Sequence, residues 1–399
     1  MNLIKLALTA EKLALTKDRP PVSVIENRCL RERDKSVPCD ICATGCPTEA
    51  ITLHGTVAVD VERCIRCGSC LHACPVGAFE GVDGIYSVLR CATQIVDKER
   101  LEIACAHHPE PERGPRGVDG VICTQGCLSS LSASAYISLL ALGIDRVDVR
   151  LDACENCPIG ELKPRIIERI ERAQSLLDQQ GMGERLGTAE VGKARRPVYS
   201  AKNPPVSRRG LLGMGRKSLK AEDILPRGAP QIEGEGSAPR DRRRLINALS
   251  YLRDIDMDAH LPDGTGFTGL AASESCTACG LCARLCPTGA LAFDQNEGEQ
   301  TFAVRFSAAA CTDCDLCTRF CEPKALIKNG PPTYAEILDP EPITLIQGTY
   351  KHCKKCHTAF HGLDEYCPTC AFRKANPFGY HIPDAVKAVL EQRQKDNKQ

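Results

Sequence analysis

The chain has 399 residues, with 51 Lys and Arg balancing 51 Asp and Glu, 26 Cys, 9 Phe, 8 Tyr and no Trp. That length calls for two to three domains of about 150 residues each, and scarce aromatics beside abundant cysteine imply that metal–thiolate bonds replace part of the usual hydrophobic stabilisation. Zero net charge gives no electrostatic case for nucleic acid, no run of about 18 apolar residues is present to span a membrane, and the cysteines do not suit a secreted disulfide framework, which belongs to short chains behind a signal peptide. Lys5, Glu11 and Lys12 interrupt the first fifteen residues, so this stretch is expected to be a short amphipathic helix in a cytoplasmic protein.

Residues 22–26, Val-Ser-Val-Ile-Glu, read as a short strand. Cys29 follows in a polar loop, and then Cys39-Asp-Ile-Cys42-Ala-Thr-Gly-Cys46-Pro47 and Cys64-Ile-Arg-Cys67-Gly-Ser-Cys70-Leu-His-Ala-Cys74-Pro75. The second of these spells C-x2-C-x2-C-x3-C-P. Three thiolates at that spacing turn a tight loop around one [4Fe–4S] cluster, while the fourth ligates a neighbouring cluster, so one such run demands a partner. The pattern recurs at Cys276, Cys279, Cys282, Cys286-Pro287 and at Cys311, Cys314, Cys317, Cys321. After each run comes a related phrase: Pro-Thr-Glu-Ala-Ile at 47, Pro-Val-Gly-Ala-Phe at 75, Pro-Thr-Gly-Ala-Leu at 287 and Pro-Lys-Ala-Leu at 323. This is an internal repeat of loop, helical turn and strand. The first run is short of one thiolate, because Ser36 stands where the first is due. Cys29 is the nearest spare cysteine and is assigned as the replacement; the alternative is a [3Fe–4S] or serine-ligated cluster with Cys29 merely buried.

These motifs resemble the bacterial-type two-[4Fe–4S] ferredoxin domain, present twice, over residues 29–84 and 274–330. The family's crossed ligation, carried onto these positions, joins Cys46 with Cys64, Cys67 and Cys70, and Cys74 with Cys29, Cys39 and Cys42. In the later domain it joins Cys321 with Cys276, Cys279 and Cys282, and Cys286 with Cys311, Cys314 and Cys317. One departure is Glu322 between Cys321 and Pro323, expected to alter the local turn and the polarity beside one cluster.

Between the two domains, Ile85-Tyr-Ser-Val-Leu-Arg-Cys91, Leu101-Glu-Ile-Ala-Cys105, Gly120-Val-Ile-Cys123 and Arg146-Val-Asp-Val-Arg-Leu read as strands, with helical periodicity over 128–142 and 161–180. Alternating elements predict a small parallel α/β sheet. Cys91, Cys105, Cys123 and the Cys154/Cys157 pair each fall at or after a predicted strand's carboxyl end, with Cys127 at a helix start. Ligands gather at that edge of open parallel sheets. A fifth iron–sulfur or metal site is therefore placed at Cys105, Cys127, Cys154 and Cys157, with Cys123 or Cys91 as substitutes; the other reading is that several are small buried hydrophobes. Gly117-Val-Asp-Gly-Val-Ile-Cys-Thr-Gln-Gly-Cys127 resembles, over that short stretch, the delta subunit of methyl-viologen-reducing hydrogenases.

From Gly187 to Leu245 there are 14 Lys and Arg against 6 Asp and Glu, expected to be an extended basic linker. Its Ser207-Arg-Arg-Gly-Leu-Leu is internal and lacks an apolar region, so it is not an export signal. Gly264-Thr-Gly266-Phe-Thr-Gly269 matches G-x-G-x-x-G without a preceding strand, so a dinucleotide site is not inferred. Cys353-Lys-Lys-Cys356 and Cys367-Pro-Thr-Cys370 form two knuckles suited to one tetrahedral Zn2+ in a zinc ribbon, with a rubredoxin-type iron as runner-up.

The expected fold is α+β: an N-terminal helix and first two-[4Fe–4S] ferredoxin domain (1–84), a small parallel α/β domain (85–180), a basic linker (181–245), a second two-[4Fe–4S] ferredoxin domain (246–335) and a zinc-ribbon-like C-terminal region (336–399). Four-cysteine cubanes have no open coordination position and exchange one electron at low potential. No nucleophile motif, phosphate loop or nicotinamide fingerprint accompanies them. The resemblance to polyferredoxin-like subunits therefore implies an electron-transfer subunit in an anaerobic or microaerobic host, partnered by a catalytic redox subunit and a protein that donates or accepts electrons. Two other classes are weighed: an enzyme with a substrate-active central cluster, and a redox-sensing nucleic-acid binder, which few aromatics for stacking oppose.

Overall fold

The repeated phrases fold as small loop–helix–strand units. The computed structural model describes residues 22–95, 99–189, 191–205, 237–339 and 341–376. The helix expected over the first fifteen residues and the Ser207-Arg-Arg segment of the linker lie outside them. In the first ferredoxin-type unit, Ser23–Val24 pairs antiparallel with Phe79–Glu80, and Ile51–Thr52 with Ala58–Val59. The second unit repeats the plan on a larger scale. Leu270–Ala272 pairs with Leu326–Lys328, and the hairpin Leu291–Asn296/Thr301–Phe306 gains a third antiparallel strand, Ile343–Thr349.

The tight turns rest on left-handed residues at matching places. In three of the four runs, the residues flanking the second cysteine both have positive φ: Arg66 and Gly68, Ala278 and Gly280, Asp313 and Asp315. In the phrase that follows each run, the third residue after the cysteine does the same: Glu49, Gly77, Gly289 and Lys324. Glu322 thus substitutes for a proline without shifting the turn. Ala325 N–H still reaches Cys321 Sγ at 3.2 Å, as Ala50 N–H reaches Cys46 Sγ and Ala78 N–H reaches Cys74 Sγ, both at 3.3 Å. The expected change of the local turn is not seen there.

Between the units lies a five-stranded parallel sheet. Its strands are β1 (Arg100–Ala104), β2 (Gly120–Cys123), β3 (Arg146–Val149), β4 (Leu186–Thr188) and β5 (Val198–Ser200), in the order β5-β2-β1-β3-β4. Alternation along the strands separates two faces. Leu101, Ile103, Ile122, Val147 and Val149 are buried in the main core with helices α1 (Ile85–Gln94), α2 (Ala133–Ala141) and α3 (Lys163–Asp178). Glu102 and Asp148 alternate with them and are buried in ion pairs, Glu102 with Arg150 and Arg196, Asp148 with Arg100 and Arg146.

Two expectations are corrected here. Ile85–Cys91 is not a strand but part of α1. Ile85, Val88, Leu89 and Ala92 recur at helical spacing and are all buried, and Asp83 Oδ1 accepts the Ile85 N–H at 3.1 Å to start the helix. Cys91 therefore sits inside a helix, fully buried. The stretch read as a linker from Gly187 also supplies β4 and β5. β5 is an edge strand held by its backbone ladder, with Val198 and Ser200 exposed, so it leaves little hydrophobic pattern to read.

Helix α4 (Arg240–Ser250) ties the three units together. Asp83 of the first unit accepts from Arg244 and pairs with Arg240 at 3.2 Å. Ser132 and Ser134, at the start of α2, donate to Asp241 Oδ1 at 2.5 and 2.8 Å. The buried Arg242 donates to the carbonyls of Gly266, Ala308 and Ala309 at 2.7, 3.1 and 3.0 Å in the second unit. One hydrophobic core runs from the α/β sheet into the second unit, whereas the first keeps one small core of its own and shares another with Leu316 of the second.

Candidate metal centres

Four cavities are each lined by one cysteine quartet. Cys29, Cys39, Cys42 and Cys74 line the first. Cys46, Cys64, Cys67 and Cys70 line the second, which Cys42 also reaches. Cys286, Cys311, Cys314 and Cys317 line the third, and Cys276, Cys279, Cys282 and Cys321 the fourth. Each set crosses between the two runs of its unit. Cys29 reaches its cavity at the start of the helical turn Leu30–Arg33, while the backbone of Ser36 is engaged elsewhere, its N–H with Asp34 and its carbonyl with Arg319.

Burial, reinforced by the neighbouring thiols of each set, pushes these groups up: Cys42 and Cys67 to about 12, Cys74 to about 11, Cys282 to about 11 and Cys311 to about 12. Buried thiolates need a compensating positive charge, which an iron–sulfur core supplies, and its binding must release protons. The surroundings favour that state. Amide N–H groups two residues on donate to the sulfurs of Cys39, Cys67, Cys74, Cys276, Cys311 and Cys314. The donor set, the openings and these N–H···S bonds fit [4Fe–4S] clusters.

The Cys353, Cys356, Cys367 and Cys370 sulfurs are packed more closely, all within 4.8 Å of one another, and Cys356 Sγ lies 3.6 Å from Cys367 Sγ. A tetrahedral ion with Zn–S bonds of 2.3 Å separates its sulfurs by about 3.8 Å. This quartet is dimensioned for a single ion. Burial raises the Cys353 thiol, and amides of Cys367, Cys356 and Lys355 more than offset that, bringing it to about 6. The knuckles stand on the two-stranded pairing Lys351–His352/Ala359–Phe360 and the helix Pro368–Ala375.

At the carboxyl edge of the parallel sheet, the Cys105 thiol has Cys127, Cys154 and Cys157 as neighbours; burial first, then those thiols, push it up to about 12. Cys123 is not among them. It lies beside Arg150 and the thiol of Cys91, so neither expected substitute stands with the quartet.

The centres follow one another without a break. Cys127 and Cys157 pack with Ile65 and Cys67. Cys42 lines the first two cavities. Leu30, Val76 and Leu316 are buried together with Cys29, Cys74 and Cys314 beside them, joining the first unit to the second. Cys282 is a neighbour of Cys317, and His361 N–H bonds Thr277 O at 3.0 Å, seating the C-terminal knuckles beside Cys276. Sequence reasoning missed what holds this series: Arg169, which donates to Ser69 O and Leu131 O, and α4. Their partners are 24 to 161 residues away, beyond any local pattern.

A model of the 4Fe-4S dicluster domain matches residues 275–325, and a model of the 4Fe-4S binding domain matches residues 57–80. The putative electron transport protein YsaA of Escherichia coli is 41% identical over 64 residues, 15% of this chain and 41% of the relative. The uncharacterized ferredoxin MJ0155 of Methanocaldococcus jannaschii is 43% identical over 68 residues, 16% of this chain and 41% of the relative. The chain thus spans about two fifths of the length of these relatives.

Proposed function

We propose that this chain, a dicluster ferredoxin-type iron–sulfur protein, is an electron-transfer subunit that relays single electrons through four [4Fe–4S] clusters to a catalytic redox partner. The ligand sets are Cys29, Cys39, Cys42 and Cys74; Cys46, Cys64, Cys67 and Cys70; Cys286, Cys311, Cys314 and Cys317; and Cys276, Cys279, Cys282 and Cys321. Bound there, a [4Fe–4S] cluster supplies one-electron chemistry at low potential. The observation that carries the reading is contiguity: four cysteine-lined cavities stand in series across two units that pack through Leu30, Val76 and Leu316. The chain's part is to fix that order, to keep water out with buried apolar walls such as Ile65 and Phe306, and to donate backbone N–H groups to the sulfurs. Cys279 is exposed at the far end of the series, which suits exchange with a partner protein.

The C-terminal quartet takes one Zn2+ and acts structurally; equimolar iron at that site would make it rubredoxin-like instead. No helix among the described residues is long and apolar enough to cross a membrane, and a cytoplasmic location remains part of this proposal. Iron, zinc and acid-labile sulfide per chain, with low-temperature EPR after reduction, test it. At least about 16 iron in clusters with S = 1/2 signals is expected. Little iron and several zinc ions per chain would sink electron transfer.

A further inference from the structure

We propose that Cys105, Cys127, Cys154 and Cys157 hold a fifth [4Fe–4S] cluster at the carboxyl edge of the parallel sheet, directly adjoining the Cys46/Cys64/Cys67/Cys70 centre. Three loops deliver the ligands. Cys105 immediately follows β1, Cys127 caps the helical turn Leu128–Ser130 after β2, and Cys154 and Cys157 lie on and just after the turn Asp152–Asn156 that follows β3. These three strands sit side by side at the centre of the sheet, so parallel register alone brings the loops together.

The loops are then tied to one another. Ala106 N–H donates to Gly126 O at 3.1 Å, joining the first to the second. His108 Nε2 and Asp152 lie 3.1 Å apart, joining the first to the third, and Arg150 holds Asp152 by two hydrogen bonds of 2.9 and 2.7 Å. The turn after Cys157 is close as well, since a side chain at Gly160 would run into Cys154 O.

Two features distinguish this quartet from buried hydrophobic cysteines. His107 N–H donates to Cys105 Sγ, and Ser129 N–H to Cys127 Sγ at 3.4 Å, the same i+2 amide-to-sulfur bond that six of the ferredoxin ligands receive. Among the described residues, the C-terminal quartet alone brings three or more Cys, His, Asp or Glu ligand atoms within 4.8 Å. No three of the central sulfurs lie that close, so this quartet, like the four ferredoxin quartets, is not drawn together as one tetrahedral ion requires.

Its place is fixed toward the ferredoxin unit. Ser129 Oγ donates to Cys67 O at 3.0 Å, His72 Nε2 meets Ser130 O at 2.9 Å, and the buried Arg169 bridges Ser69 O at 3.0 Å to Leu131 O at 3.2 Å. Glu155 and Asn156 beside it are exposed. The site thus closes the series at the end opposite Cys279, making both ends reachable from solvent.

The test counts iron and acid-labile sulfide in the anaerobically purified full-length chain, in Cys127→Ser/Cys157→Ser, and in Cys91→Ser/Cys123→Ser. The inference rests on the four-cluster reading only for its baseline of about 16 iron. About 20 iron in the wild type and in the Cys91/Cys123 variant, with about 16 in the Cys127/Cys157 variant, is expected. About 16 iron in the wild type overturns the fifth cluster while leaving the other four standing, and it does so whether or not any variant folds. A second zinc in place of the extra iron, or a loss of only two iron, also overturns it. Almost no iron in the wild type overturns both readings.

Discussion

The two ferredoxin-type units place their ligands alike and support them differently. In the first, every strand is two residues long, and one small core, Val22, Ile51, Val57, Leu71 and Phe79, backs the cluster loops. The proposed ligand Cys29, which lines the cavity with Cys39, stands ten residues ahead of it. In the second, a hairpin of two six-residue strands gains a third strand and shares the main core with the α/β sheet. The cysteine spacing shapes the loops, and the surrounding chain determines how far the loops depend on metal.

The largest effect that separates the units should follow from removing one ligand in each. Cys29→Ser is expected to lose about four iron and to expose residues 22–81 to protease, because little else orders them. Cys276→Ser should lose as much iron while the hairpin Leu291–Asn296/Thr301–Phe306 stays protected. Iron analysis with limited proteolysis reads both. Equal protection in the two variants would remove the contrast, and iron loss from Ser36→Ala but not from Cys29→Ser would make the serine the ligand.

Second in size is Arg242→Met. Arg242 gives three hydrogen bonds to carbonyls of the second unit and lies over the Phe267 ring at 3.2 Å. Burial pushes its pKa down, yet the carbonyls hold the charged form. Leaving them unpaired should cost about 3 kcal/mol, seen as a lower urea midpoint by circular dichroism under anaerobic conditions. A change below about 1 kcal/mol would mean that water takes over the carbonyls. The same change should leave protection of the first unit intact, because Arg240 and Arg244, not Arg242, reach it.

These two variants mark what was legible in the sequence. The cluster loops were, because the cysteine spacing and the Pro-to-Ala phrase after each run are local. So was the place of Cys29, the nearest spare thiol, beside Cys39, Cys42 and Cys74. The edge cysteines of the sheet were legible from strand periodicity, although Ile85–Cys91 misled: its apolar residues suit either period until Asp83-Gly84 is taken as a helix start. What stayed hidden depends on distant partners. The first half of helix α4 lies inside a basic stretch whose charge suggested solvent, yet Arg240 and Arg244 converge on Asp83 of the first unit while Arg242 reaches carbonyls of the second. Strand β5 carries no apolar alternation to betray it.

Asp83→Asn probes the first unit's attachment to α4 and should cost about 2 kcal/mol. Burial opposes ionisation of Asp83, but Arg244, Arg240 and His72 together hold its pKa down to about 2 from 3.8, a gap of that size in free energy. Because the folded pKa is depressed, the stabilisation is full above about pH 4 and is lost as pH falls through about 2. The stability difference between wild type and variant should therefore be flat from pH 8 to 5. If it has already halved by pH 6, a histidine rather than Asp83 governs the contact.

The smallest expected effect concerns the turn that all four runs share. Gly77 and Gly289 occupy its left-handed position at φ 63° and 66°, whereas Glu49 and Lys324 hold the same position at φ 50°. A side chain there costs about 1 kcal/mol, partly regained because glycine makes the unfolded chain more flexible. Glu49→Gly and Lys324→Gly should each stabilise by a few tenths of a kcal/mol. Glu49 also forms an exposed pair with Arg63 at 3.2 Å, which contributes little, so its variant should gain slightly less. The reverse change, Gly77→Ala, should lose more than either gains, because the added Cβ would meet Pro239 Cβ at 2.9 Å in addition to the strained φ. Pro239 immediately precedes α4, so the turn is packed against the helix that carries Arg240 and Arg244. Thermal midpoints of the three variants under anaerobic conditions decide it: a gain for Gly77→Ala would mean that the left-handed turn is not what shapes the repeat.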